Sequence, residues 1–285
     1  MTRILVGLAT LLISAGQLRG EEAKPDKPPS ASEQLAGILA EYSKGQQEFF
    51  KKYSEAKTDE ERSKAVNERP SPESTGKRLL EFADTTTDEG AAADSLLWVV
   101  SNVRSGELPD KALGKLSEKY IASDKLGNVC TALVYSDSPQ AEAFLRKALE
   151  TNPHRSVQGP ACYALAQFLK QQGQLLEQLK NRPELAARYA EIRGKEASDR
   201  LVSRDPKQLA TEIETLLGRV VQTYGELKFG NKTLGQAAER ELFEIQHLSV
   251  GCAAPEIDGE DIEGKKLRLS DFRGKVVMLD FWGNW

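Results

Sequence analysis

A chain of 285 residues has room for two modest domains. Apolar residues make up 39% and charged residues 29%, with a formal net charge of −4, a balance that suits a soluble helical protein with wide solvated faces. There is no basic surplus to hold a polyphosphate backbone, which excludes nucleic acid as a partner.

Residues 1–20 read as an export signal. Arg3 gives a charged start, and Ile4 to Ala15 form an apolar core broken only by small residues. Ser14 and Gly16 are small residues at the spacing a signal peptidase favours, so cleavage is expected near 16–20. The apolar run is too short for a stable membrane span; an uncleaved anchor is the competing reading. No cysteine lies near this region to carry a lipid. The expected location is therefore extracytoplasmic, in the periplasm or cell envelope, where disulfide chemistry is permitted. Residues 21–31 are polar and rich in proline, and read as a disordered linker.

From 32 to 248 helix signals follow one another almost without a strand, and this span is expected to form a helical domain. Leu35, Ile38, Leu39, Tyr42, Phe49 and Tyr53 share one helical stripe. Thr58 and Glu61 have the spacing of a capping box, in which hydroxyl and carboxylate each accept an orphan backbone N–H. Ser71-Pro72 opens the next helix with a cap and a pre-set φ. The apolar run around Leu96, Leu97, Val99 and Val100 is expected at the centre of the core. Leu113, Cys130, Ala132 and Leu133 recur as Leu145, Cys162, Ala164 and Leu165 at a fixed offset, close to the period of helix-pair repeats. Two readings follow, a TPR-like array or an irregular helical bundle. Asp205-Pro206 starts a long helix to about Tyr224, with Leu209, Ile213, Leu216, Leu217, Val220 and Val221 inward. After a turn over 225–232, Thr233 and Gln236 form another capping box. The helix they open turns Leu234, Ala238, Leu242 and Ile245 inward.

Reactive residues are few. Cys130 and Cys162 on helices read as small buried hydrophobes. If the repeat stacks them as equivalents, their helix axes are about 8–10 Å apart, while a disulfide needs Cα atoms within about 7 Å; the free form is the expected one. Cys252 reads as an incidental free thiol. His154 follows Pro153 in a turn, and His247 at a helix end complements the dipole. No metal-ligand spacing appears, nor a nucleophile elbow, phosphate loop or dinucleotide fingerprint. No cofactor is expected.

At Ser249 the texture changes, marking a domain boundary between 248 and 249. Ile257-Asp258-Gly259 and the run from Lys266 to Leu269 read as short strands around a turn at Glu263-Gly264, followed by a single turn over 270–274. The chain then reads Val276-Val277-Met278-Leu279-Asp280-Phe281-Trp282-Gly283-Asn284-Trp285. Residues 276–281 have the texture of a strand buried on both faces, as at the centre of a parallel sheet. Without partners such a strand is expected to pack poorly and invite aggregation.

Three blocks in order carry a resemblance. They are Val250-Gly251-Cys252-Ala253-Ala254-Pro255-Glu256-Ile257, the Leu269-Ser270-Asp271-Phe272-Arg273-Gly274-Lys275 block with its preceding Gly264 to Arg268, and the apolar run to Trp285. Together they resemble the opening of redoxins, the thioredoxin-like thiol–disulfide oxidoreductases of the cell envelope (TlpA and ResA type) and the related alkyl hydroperoxide reductase/thiol-specific antioxidant (AhpC/TSA) proteins. The resemblance covers about the last 35 residues. It implies a mainly α chain: a helical domain followed by the first β-strands of an incomplete thioredoxin-like α/β fold, residues 249–285. In that family the strand leads into Trp-Cys-x-x-Cys. The first thiolate is stabilised at a helix N-terminus and attacks a substrate disulfide, and the second cysteine resolves the mixed disulfide.

The resemblance makes Trp285 the Trp just before the nucleophile and Asp280, Phe281 and Trp282 motif-flanking residues, with Asp280 a candidate proton acceptor or an ordinary polar residue at the core edge. No catalytic residue is present in the chain itself. The expected partners are protein thiols and disulfides, with a protein partner on the helical domain. A peroxidatic site usually has Pro and Thr before a single cysteine; Phe281 to Trp285 lack them and favour the two-cysteine type over an AhpC/TSA-type peroxidase. Three explanations of the stop at Trp285 stand side by side: a cut sequence, a helical scaffold with a vestigial tail, or a selenocysteine codon read as a stop.

Overall fold

The structure, a computed structural model, describes residues 28–104, 106–136 and 138–283. The expected signal over 1–20, most of the linker and Trp285 lie outside the described residues. The helices among the described residues are α1 (Ala31–Glu55), α2 (Asp59–Asn67), α3 (Pro72–Thr85), α4 (Glu89–Asn102), α5 (Glu107–Lys119), α6 (Gly127–Ala132), α7 (Ala141–Thr151), α8 (Arg155–Asn181), α9 (Pro183–Arg193), α10 (Lys195–Val202), α11 (Pro206–Tyr224) and α12 (Leu234–His247). The protein is mainly α, with two short two-stranded sheets.

Local chemistry sets the start of half of these helices. Thr58 and Glu61 form the reciprocal capping box of α2, and Thr233 and Gln236 that of α12. Ser71 caps α3 with Pro72 at its first turn, and Asp205 caps α11 with Pro206 in the same place. Each side-chain oxygen satisfies an N–H that the helix itself leaves without a partner. Ser30 makes a further box with Glu33, so α1 begins at the last residue of the expected linker, Ala31.

The long α8 organises the body. It packs against α6, α7, α11 and α12, and α11 packs in turn on α12. Leu113, Leu116, Leu145, Leu165, Leu169 and Leu217 are fully or almost fully buried in one continuous core that runs from α1 to α12. The α4 run sits there as expected, with Leu96 and Val99 buried. The α1 stripe is shallower: Leu35 is buried, Ile38 and Leu39 only partly, and Tyr53 is exposed. Tyr42 nevertheless meets Trp98 edge-on, with ring centroids 5.0 Å apart, and so ties α1 to α4.

The offset that relates Leu113 to Leu145 and Cys130 to Cys162 places equivalent residues on neighbouring helices. The α5 helix touches α7 and α6 touches α8, as α3 touches α5 and α4 touches α6. The two units are not copies, however. Helix α6 has 6 residues where α8 has 27, and Ala132 is exposed where Ala164 is buried. Cys130 and Cys162 are free and buried, with no disulfide between them.

Two expectations are corrected. The segment 225–232 is more than a turn: β1 (Lys228–Phe229) pairs antiparallel with β2 (Lys232–Thr233) around Gly230, whose φ of 59° is the left-handed geometry such a tight reversal needs. The segment 276–281 forms no strand. A strand exists through hydrogen bonds to a neighbour, and the described residues supply none here.

Candidate functional site

The C-terminal segment is built from a hairpin, a turn and an extended run. Strand β3 (Asp258–Glu260) pairs antiparallel with β4 (Lys266–Arg268), in register Asp258 to Arg268, Gly259 to Leu267 and Glu260 to Lys266. The expected pair of strands is there, the first shifted by one residue and the second one residue shorter. Asp261 closes the loop: its Oδ1 accepts from the amides of Glu263 and Lys265, both at 2.9 Å. Gly264 takes φ +79°, which a side chain would disfavour. Arg268 Nε donates to Asp258 Oδ1 across the ladder at 2.8 Å.

The hairpin is fastened to the next turn. The Leu269 amide donates to the Ile257 carbonyl, extending the ladder by one bond. Glu256 Oε1 accepts from the Ser270 amide at 2.9 Å; bonding from Ser270 holds the Glu256 carboxyl below its ordinary value. Asp271 Oδ2 accepts from the Arg268 amide over the 3₁₀ turn Leu269–Phe272. The Leu-Ser-Asp-Phe-Arg-Gly-Lys block is thus a folded corner that redirects the chain, with Gly274 at φ +82° as its last joint.

Beyond the corner the chain runs out exposed. Val276 and Met278 are wholly or almost wholly open, whereas Val277 and Leu279 are roughly half covered. This alternation is the period of an extended chain. Asp280, Phe281 and Trp282 are exposed. Trp285 lies outside the described residues.

The cysteines are far from equal. Burial pushes the Cys130 thiol up to about 12 and the Cys162 thiol to about 11. Cys162 Sγ lies 3.4 Å from the Leu216 carbonyl oxygen, as a weak donor. Cys252 is exposed just after α12. His154 precedes the first turn of α8, where its carbonyl accepts helix N–H groups. His247 ends α12 with its ring 4.8 Å from that of Phe243. Among the described residues no three His, Cys, Asp or Glu side chains gather as a metal group, and no helix is long and apolar enough to cross a membrane.

Sequence reasoning missed two polar clusters. Glu241 on α12 accepts from Tyr163 Oη at 3.1 Å, Gln167 Nε2 at 2.6 Å and Lys170 Nζ at 2.7 Å, pinning α12 to α8. Glu142 on α7 accepts from Arg146 and from Arg204, and Arg146 also reaches Glu212 at 2.5 Å. Burial alone would raise the Glu142 carboxyl, but the two arginines outweigh it and hold it below the ordinary value. The Glu142–Arg146 spacing of four was visible in the sequence as a helix pair; Arg204 was not, because only folding brings it there.

Fold and segment together define a mainly helical protein that ends in a β-hairpin, a tight corner and an apolar extended run. No family model matches the chain, and no solved structure matches it. Short local similarity does exist to curated proteins named thiol-disulfide oxidoreductase ResA. It is 48% identity over 40 residues with that of Bacillus thuringiensis subsp. konkukian, covering 14% of this chain and 23% of the relative. It is 50% over 38 residues with that of Geobacillus thermodenitrificans, covering 13% and 22%. It is 48% over 40 residues with that of Bacillus subtilis, covering 14% and 22%. The chain therefore spans under a quarter of the length of these relatives. What it shares with them is a thiol–disulfide oxidoreductase-like segment, thioredoxin-like at most in family terms.

Proposed function

We propose that the chain is the helical region and leading segment of an extracytoplasmic thioredoxin-like thiol–disulfide oxidoreductase, exported by residues 1–20. The observation that carries this reading is the local similarity to ResA together with the ordered Ala-Pro, corner and apolar-run blocks of 250–285. On this reading residues 249–285 form the entry to the redox domain. The run 276–281 becomes a strand once the rest of the sheet pairs with it. Asp280, Phe281, Trp282 and Trp285 flank the motif, and the nucleophile, a cysteine or a selenocysteine, follows Trp285. Its anionic form attacks a disulfide of a partner protein. One partner sulfur leaves as a thiol and a mixed bond forms; the second cysteine then breaks that bond, releasing the reduced partner and leaving an oxidised pair. Residues 32–248 form a helical domain that holds the partner protein.

The test is a chain extended through the codons that follow Trp285, assayed for reduction of a protein disulfide with dithiothreitol as reductant. Activity in the extended protein and none in residues 1–285 is the expected result. A downstream frame with no second half of a thioredoxin-type sheet overturns the proposal. One observation favours a second reading, a non-catalytic helical interaction scaffold: two of the three cysteines are buried and the third stands apart from them, so residues 1–285 carry no redox pair of their own.

A further inference from the structure

We propose that the groove between α7, α8 and the α9–α10 hairpin binds an extended acidic peptide segment of a partner protein. The inference deepens the reading of the helical region as a partner-binding body and makes no use of the redox assignment. The groove encloses about 690 Å³, the size of sites that bury a short stretch of ligand. Its apolar lining includes Phe168, Leu175, Tyr189 and Leu201, and Ile192 adds an apolar side chain that is 66% exposed.

The charges set the occupant. Four arginines line the groove, Arg146, Arg193, Arg200 and Arg204, against Asp110 and Glu142. Glu142 is paired with Arg146 and Arg204, and Asp110 accepts from Ser138 Oγ. Arg204 spends one N–H group on Glu142 out of the five a guanidinium carries. Arg200 is exposed and makes no side-chain hydrogen bond or ion pair among the described residues. Arg200 and the remaining N–H groups of Arg204 are therefore guanidinium donors not taken up by a carboxylate among the described residues, which suits a carboxylate ligand. The apolar lining of Phe168, Leu175, Tyr189 and Leu201 suits apolar side chains alternating with the carboxylates of a peptide.

The neighbouring surface suits a peptide backbone. Across α8 a second hollow of about 420 Å³ shares Leu175 with the first. Gln167, Gln171, Gln174 and Gln178 line it beside Tyr135, which is 80% exposed. Glutamine amides offer a donor and an acceptor each, the same pair that an extended peptide presents. The far wall of the groove is also the least firmly held helix pair. Helix α9 buries no residue. Leu176, Leu179 and Leu201 form a small cluster separate from the main core. Gly194 joins α9 to α10 at φ +84°. A wall so lightly packed can shift to admit a chain at low cost.

The experiment titrates the full chain into a fluorescein-labelled eight-residue peptide alternating Glu with Leu and Phe, and into the same peptide with Lys for Glu, following anisotropy. The acidic peptide is expected to bind and the basic one not, with affinity falling as salt rises. Arg200→Glu should raise Kd at least about tenfold, and Lys77→Glu on α3, the same charge change on another helix, should leave it unchanged. Circular dichroism confirms that both variants are folded. Peptide binding should also slow amide exchange over 183–202. Equal binding of both peptides, no binding of the acidic one, equal losses in the two variants, or preference for a single-stranded oligonucleotide over the acidic peptide overturns the proposal. Any of these leaves the disulfide-reduction test of the extended chain unaffected.

Discussion

The thiols offer the sharpest quantitative test. The chain has three cysteines, and a disulfide reagent such as Ellman's reacts with thiolate. At pH 8 a thiol at about 12 is ionised to about one part in 10⁴, and one at about 11 to about one part in 10³. Cys130 and Cys162 therefore carry little nucleophile even before access is considered. Both are also fully buried, so the reagent reaches them only through opening of the core, which costs a large share of a global stability of about 5–15 kcal/mol. Cys252 faces solvent. Native protein should release about one equivalent of chromophore in the fast phase, and three after unfolding in guanidinium. Cys252→Ser should abolish the fast phase and leave two equivalents in denaturant. Mild oxidation of native protein should give dimers through Cys252 and no internal disulfide. Two or three fast equivalents in the native wild type would refute the burial argument, and an internal Cys130–Cys162 bond would do the same.

Further expectations follow from packing and charge. In α11 an added Cβ at Gly218 meets nothing within 4 Å, so Gly218→Ala should stabilise by about 0.8–1 kcal/mol through helix propensity, raising Tm by about 2–4 °C. At Gly235 the same atom would lie 2.9 Å from both Cα and O of Gly225, backbone that cannot swing aside. Gly235→Ala should therefore destabilise by about 1–3 kcal/mol, and thermal unfolding of the pair checks the opposite signs. The carboxyl of Glu142 is held below its ordinary value in the folded state. Its contribution is thus full above the unfolded value near 4.5 and is lost as pH falls through the folded one. The urea midpoint of wild type should drop on going from pH 6 to pH 3, and the gap to Glu142→Gln should narrow with it; a gap that stays constant would show that the ion pairs contribute nothing. Amides of 276–283 should exchange at nearly unprotected rates, by mass spectrometry, while those of α8 and α11 stay protected. Equal protection of the two would mean that the run is paired after all.

What could be read from the sequence follows the range of the interaction. Capping boxes at Thr58 and Thr233 and the capped prolines at 72 and 206 act over a few residues, so they fixed helix starts without reference to the fold. The stripes of α11 and α12 repeat at the helical period and so marked their buried faces. The hairpin β3–β4 was legible for the same reason: its turn closes within the loop, on Asp261 and Gly264. The segment 276–281 fails as a strand because its texture describes a site in a sheet, and strands are made by neighbours that sequence texture cannot supply.

The groove belongs wholly to tertiary structure. Gly106, Glu142, Phe168, Tyr189 and Arg204 line one wall or another, and nothing in their spacing along the chain announces that they meet. The amino-acid sequence determined the helical register, the capped boundaries and the redoxin-like order of the last blocks, because those depend on side chains near one another in the chain. Only folding decided that Arg204 reaches Glu142, that Gly235 touches Gly225, and that Arg200 has no acidic partner among the described residues. Each of these depends on how helices distant in sequence are stacked, a matter of surface burial and shape rather than of local preference.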